Sequence, residues 1–110
     1  MMNETVYLFK LDMQNRITLT SMLRQVYDFN DLIYMKLQVI DGEKYLQISG
    51  YEIDFYQAIS KQDYKGRISI PKEVREKFDI QTGDKLESYE NEDDPNHRSL
   101  LLKKVLKRKN

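Results

Sequence analysis

Short apolar alternations punctuated by turn residues run along the chain. Two of them, Arg16-Ile17-Thr18-Leu19 and Arg67-Ile68-Ser69-Ile70, set every second side chain apolar, which predicts short strands with one buried face. A helical spacing follows each. Val74 and Phe78 stand four apart, Lys72 with Glu76 and Glu73 with Lys77 add opposite charges at the same spacing, and Pro71 sits where a first turn tolerates it. Leu23 and Tyr27 repeat the apolar spacing earlier in the chain, with Ser21 as the predicted cap. Longer strand-like segments come next, at 34–40 and 45–48 and again at 85–89 and 99–105. Asp41-Gly42-Glu43 reads as a hairpin turn, Thr82-Gly83-Asp84 as the turn leaving the second helix, and the polar stretch 91–98 as a longer, more mobile connection. Between the two series lies 49–60, whose Tyr51, Ile53, Phe55, Tyr56 and Ile59 call for burial. An alternating strand through Tyr51, Ile53 and Phe55 is the expectation there.

The two series are copies. A shift of 51 positions lays Lys10, Asp12, Arg16, Ile17, Arg24 and Asp28 on Lys61, Asp63, Arg67, Ile68, Arg75 and Asp79. Thr18 falls on Ser69, Leu19 on Ile70, Leu23 on Val74 and Tyr27 on Phe78. Asn15 falls on Gly66, and these two residue types accept the left-handed backbone of a tight turn most readily. The expected organisation is therefore a copy over 1–50, a connecting segment over 51–60 with a strand in it, and a second copy with a basic end over 61–110.

Composition narrows the function. Cysteine is absent, which removes disulfides, thiolate zinc sites and thiol nucleophiles. Charged residues make up 33% and hydrophobic ones 40%, with a mean hydropathy of −0.72. No apolar run nears a bilayer span and no basic-then-apolar leader opens the chain, so a cytoplasmic protein without a membrane partner is expected. Net charge is zero, but Lys and Arg gather in the second half and Asp and Glu prevail in the first. A single histidine and no phosphate-binding glycine loop leave little for an enzyme, and neither a catalytic residue nor a cofactor is expected. His97, beside Asp93, Asp94 and Asn96, invites a metal reading; with Pro95 the composition is that of a surface turn.

The run Asp63-Tyr64-Lys65-Gly66-Arg67-Ile68-Ser69-Ile70-Pro71-Lys72-Glu73-Val74-Arg75-Glu76-Lys77-Phe78, followed by Ile80 and Gly83-Asp84-Lys85-Leu86, resembles the SpoVT/AbrB/MazE-type domain. That family's pattern is a Lys-Gly-Arg or Lys-Gly-Gln turn, an apolar strand ending in Pro, a helix bearing Arg, and Gly-Asp before the next strand. The resemblance spans roughly 61–105. The first copy, roughly 6–49, resembles the family through the second, with Thr20 for the Pro, Asn15 for the Gly and no Gly-Asp. The Asp-x-x-x-Arg spacing in both copies also resembles the MraZ regulators distantly.

The resemblance implies a β-rich α+β fold, a swapped-hairpin AbrB-like β-barrel of two tandem repeats, each with one short helix. It implies a sequence-specific double-stranded DNA-binding regulator, a repressor or transition-state type, with an antitoxin or protein-interaction module as the alternative. The family's DNA-contacting arginines fall on Arg67 and Arg75, and Lys61, Lys65 and Lys72 stand nearby for phosphates. By the repeat, Arg16, Arg24 and Lys10 take the equivalent places. Arg67 and Arg16 equally suit a structural pairing with Asp63 and Asp12, and Lys72 and Lys77 the solvated side of a helix. Two copies complete the barrel within one chain or between chains, so the implied partners are DNA, a second copy of the chain, or a protein such as a toxin. Antitoxins of the family usually append an acidic tail, whereas Lys107-Arg108-Lys109 is basic and reads as a solvated end.

Overall fold

Left-handed backbone positions set the local architecture. In the computed structural model, which describes residues 7–91, 94 and 98–106, Asn15 and Gly66 take φ of 60° and 80°, and Asp28 and Asp79 take 55° and 58°. These are matched pairs of the repeat. The first pair turns the chain into the short strands β2 (Arg16–Thr18) and β6 (Arg67–Ser69); the second ends the helices α1 (Ser21–Val26) and α2 (Lys72–Phe78). Both helix ends close alike, with Phe29 N donating to Arg24 O at 2.9 Å and Ile80 N to Arg75 O at 3.0 Å. The His97 turn and the basic end 107–110 lie outside the described residues.

The remaining strands are β1 (Leu8–Lys10), β3 (Leu32–Ile40), β4 (Glu43–Ser49), β5 (Ala58–Lys61), β7 (Lys85–Glu90) and β8 (Ser99–Lys104). Six of them form one curled antiparallel half-barrel in the order β1-β7-β8-β4-β3-β5, and β2 pairs with β6 as a separate ribbon. Asp41 and Gly42, at φ 52° and 80°, make the tight turn between β3 and β4 that their dipeptide predicts. Apart from the β3–β4 and β7–β8 hairpins, every pairing joins the first half to the second: β1 with β7, β2 with β6, β4 with β8, and β5 with β3. Ile17 faces Ile68 in the ribbon and Gln47 faces Leu101 in the sheet, so equivalent segments meet about one local two-fold relation.

One core serves both halves. Ile17 and Leu23 from the first and Ile68, Val74 and Phe78 from the second pack in a single cluster with Ile33, Met35, Leu46, Ile48, Leu86, Leu100 and Leu102 of the sheet. A lone segment of about 45 residues buries too little apolar surface to stand by itself, and the exchanged strands supply what each half lacks.

Three expectations are corrected. The cap of α1 is Thr20, not Ser21: Thr20 is extended (ψ 160°) and its hydroxyl accepts the Leu23 N–H at 3.3 Å, which makes Ser21 the first helical residue. No strand passes through Tyr51, Ile53 and Phe55. The chain runs close against the end of α1 at Gly50, where a Cβ would lie 2.5 Å from Asp28 O, and Phe55 is left-handed and 88% exposed. The strand in this region is β5, entered only after that turn, and Tyr56 and Ile59 are exposed rather than buried. Beyond the helices, where no match is drawn, the shift of 51 no longer holds. Phe9 opposes Leu86 while Ser60 opposes Ile33, so Ile33, not Met35, matches Leu86, because the turn after α2 is longer than the one after α1.

Gly66 carries the tightest approach. A Cβ there would stand 2.3 Å from Leu19 O, whose own N–H donates to Gly66 O at 2.7 Å. Gly66→Ala is expected to lower the unfolding free energy by about 1–3 kcal/mol from backbone strain, with the clash pressing towards the upper end. Asn15→Gly, at the matched position, should change it by under about 1 kcal/mol. Urea unfolding midpoints of the two variants check this asymmetry.

Candidate nucleic-acid interface

Each turn before the ribbon is built on one carboxylate. Asp63 Oδ1 accepts the N–H groups of Lys65 and Arg67, both at 2.9 Å, and its Oδ2 accepts Arg67 Nε at 2.6 Å. Asp12 does the same with Gln14 N (2.8 Å), Arg16 N (2.9 Å) and Arg16 Nε (3.0 Å). Both carboxylates lie below their ordinary pKa. At Asp63 the Arg67 N–H is the foremost cause and outweighs desolvation, helped by the Arg67 side chain and the Lys65 N–H. At Asp12 desolvation pulls upward, and the N–H groups of Arg16 and Gln14 with the guanidinium overcome it. Only Nε of each arginine is committed to its carboxylate, and the side chains keep 24% and 26% exposure at Arg16 and Arg67. The structural and the functional roles of these arginines are therefore compatible: the pair orients the guanidinium and leaves its terminal amino groups for another acceptor.

The ribbon sorts its side chains by alternation. Ile17 and Ile68 are fully buried, so Arg16, Thr18, Arg67 and Ser69 point the other way. Arg16 stands opposite Ser69 and Arg67 opposite Thr18, which places the two arginines on a diagonal of one outward face, roughly 7–8 Å apart at the backbone. Sequence reasoning missed Thr18 and Ser69 as members of this face. The Arg-Ile-Thr and Arg-Ile-Ser alternation contained the signal, since a residue two positions from an outward arginine also points outward.

The helix arginines differ. Arg75 Nε donates to Ile70 O at 2.9 Å, which holds the side chain against the end of β6. Arg24 lies over Gly66, and its buried Nε meets no hydrogen-bond partner among the described residues. The lysines are dispersed. Lys65 is exposed in the turn with its Nζ over the Tyr64 ring, 5.6 Å from the centroid. Lys72 opens α2 and stands 3.8 Å from Glu76, a solvated pair of little energetic weight; Glu73 and Lys77 form no ion pair among the described residues. Lys10 and Lys61 are exposed at the ends of β1 and β5, which are opposite edges of the six-stranded order, so the sheet does not bring them side by side. Among the described residues no cluster of His, Asp or Glu could hold a metal ion, and no helix is long and apolar enough to cross a membrane.

Residues 59–94, which run from β5 through the carboxylate turn, β6, α2 and β7, match the family model of MazE, described as antidote-toxin recognition and bacterial antitoxin. Neither a curated protein nor a solved structure matches the chain.

The lowered pKa values give the turns a pH dependence of fixed sign. A carboxylate held lower in the folded than in the unfolded chain adds stability that is complete above the unfolded value and is lost as pH falls through the folded one. Stability should therefore drop as pH falls below about 4. In Asp63→Asn and Asp12→Asn the drop should be shallower, because the neutral amide has no charge to lose, and urea midpoints from neutral to acid pH measure it.

Proposed function

Through residues 59–94 the chain is a SpoVT/AbrB/MazE-type family member, and from that premise we propose that it is a sequence-specific double-stranded DNA-binding regulator rather than an enzyme. In this reading the two halves are tandem copies of a swapped-hairpin unit that complete one barrel within the chain, acting in the cytoplasm where their DNA lies. The observation that carries it is the ribbon. A two-stranded β-ribbon fits the major groove of B-DNA, and β2 with β6 turns two carboxylate-oriented arginines outward on one face. A guanidinium oriented in advance loses less freedom when it meets a guanine edge or a phosphate. Arg67 and Arg16 are assigned to base edges, Arg75 and Arg24 to the flanking contacts, and Lys65, Lys72, Lys61 and Lys10 to phosphates. Thr18 and Ser69 join the reading face.

A second reading has one observation in its favour, the description of the matched family as an antitoxin. An antitoxin would use the barrel to hold a protein toxin, with DNA binding as a companion activity or none. Binding of the purified chain to duplex from its own upstream region, with competitor DNA and over a salt series, separates the readings. A regulator binds specifically, and its log affinity falls linearly with log salt.

Arg67→Ala and Arg75→Ala should each weaken specific binding by about 1–3 kcal/mol. Non-specific binding at low salt should change less. Unchanged affinity in the folded double variant would move the site away from these arginines, and no binding at low salt would transfer the function to a protein partner.

A further inference from the structure

Gln62 stands where the other half of the chain places a core residue. Leu11, 51 positions earlier, is fully buried; Gln62 is also enclosed, at 9% exposure, yet carries an amide with it. The backbone beyond α1 uses one end of that amide. Gln62 N donates to Asp31 O at 2.7 Å and Gln62 Nε2 to Asn30 O at 2.6 Å, and because a carbonyl oxygen only accepts, the second bond fixes which end of the amide is which. Oε1 is then buried and meets no donor among the described residues. A buried acceptor left unpaired is costly, and a position that leucine fills in the matched half gives no packing reason for it. Gln62 borders a cleft of about 940 Å³ between the end of α1 and the Asp63 turn. In the matched half the corresponding elements border two smaller clefts, of about 380 and 390 Å³. There the longer turn after α2 comes up against Leu11, with Gly83 N donating to Leu11 O at 2.8 Å.

The walls of the Gln62 cleft set the charge of its occupant. Asp28, Asp31 and Asp63 line it, and Arg24 is the one cation among the lining residues. That guanidinium is packed over Gly66, with Nε 3.1 Å from where a Cβ would stand. Asp63 is committed to Arg67, and Asp28 accepts the Tyr51 hydroxyl. Asp31 is exposed, with its carboxylate in no ion pair among the described residues. Tyr64 adds an aromatic wall whose ring already has the Lys65 ammonium over it at 5.6 Å. We propose that this cleft binds a small organic cation bearing N–H donors, of the linear diamine and polyamine class. One ammonium donates to Gln62 Oε1 beside Asp31, and the other lies in the field of Asp28 and Asp63. Three carboxylates disfavour an anion, and a quaternary cation would leave Gln62 Oε1 unmet. The proposal does not rest on the DNA-binding reading, because the site is complete in the free chain.

The test titrates the isotope-labelled full chain, without DNA, with 1,4-diaminobutane at about 0.15 M salt, where loose gathering of cations on exposed carboxylates is screened. Calorimetry gives the affinity and amide NMR the location. Saturable binding is expected, with shifts at Asn30, Asp31 and Gln62 and none at Leu11 and Thr82 of the matched half. The bis-quaternary analogue, whose methyl groups replace every N–H at the same charge, should bind at least about tenfold more weakly. Gln62→Leu gives this half the residue that packs in the other and should cost at least about tenfold in affinity. Asp31→Asn, an exposed change that spares the core, should cost about two- to fivefold. Should Gln62→Leu fail to fold, the quaternary comparison and Asp31→Asn decide the matter with the glutamine in place. Equal binding of the quaternary analogue, unchanged affinity in Asp31→Asn, shifts spread over acidic residues of both halves, or no saturation at millimolar diamine would each overturn the proposal and leave the DNA-binding reading untouched.

Discussion

Two three-residue strands, β2 and β6, make the contact on which the rest of the structure depends. Strands this short form no stable ribbon by themselves. Ile17 and Ile68 are both removed from solvent at the point where they face each other, and the backbone bonds that follow, from Leu19 to Gly66 and from Ile70 to Asn15, close the ribbon at both ends. This contact crosses from one half of the chain to the other, as do β1 with β7, β5 with β3 and β4 with β8. Neither half owns a core, so neither can be removed without exposing the other. A fold that pairs strands across its two halves also obliges the turns of Asp12 and Asp63 to emerge from one ribbon.

The carboxylate turns connect this architecture to chemistry. One aspartate satisfies two backbone N–H groups and one guanidinium nitrogen, and it does so twice, at Asp12 and at Asp63. The same bonds that define the turn hold the arginine at a set angle with its remaining donors unspent on the carboxylate. Zero net charge is no obstacle to an anionic partner under these conditions, because field and donors depend on where cations stand rather than on their sum. Lys65 and Lys72 in the second half stand where the first half has Gln14 and Ser21, and the antiparallel register sends them to opposite ends of the ribbon.

Much of the local structure was legible in the residues. Gly66 and Asn15 announced left-handed turns, Asp41-Gly42 a tight hairpin, and Val74 with Phe78 a buried helical face; each expectation rests on backbone sterics or on a short-range period that neighbours in the chain enforce. Phe55 was not legible. An alternation of aromatic and polar residues around it mimics a strand, and only the passage of Gly50 against Asp28 O shows why the chain turns away there. Thr20 was overlooked as a cap because the matched position in the other half is Pro71, which carries no side-chain acceptor, and Ser21 stood next to it. For the candidate site, the arginines and their aspartates stood out by spacing, whereas Thr18 and Ser69 required knowing which face Ile17 and Ile68 bury.

By itself the sequence determined the repeat, the turn positions, the helices and the identity of the matched charges, because these depend on φ preferences and on spacings of two to four residues. The tertiary structure alone decided which strand lies beside which, where the repeat loses its fixed shift, and that the two arginine turns stand at opposite ends of one ribbon. It also decided that Arg75 finds the Ile70 carbonyl while the Nε of Arg24 meets no partner among the described residues. The physical reason is range. A turn is settled by the sterics of its own few residues, but strand partners are chosen by burying apolar surface between segments dozens of residues apart, and no local pattern records that choice.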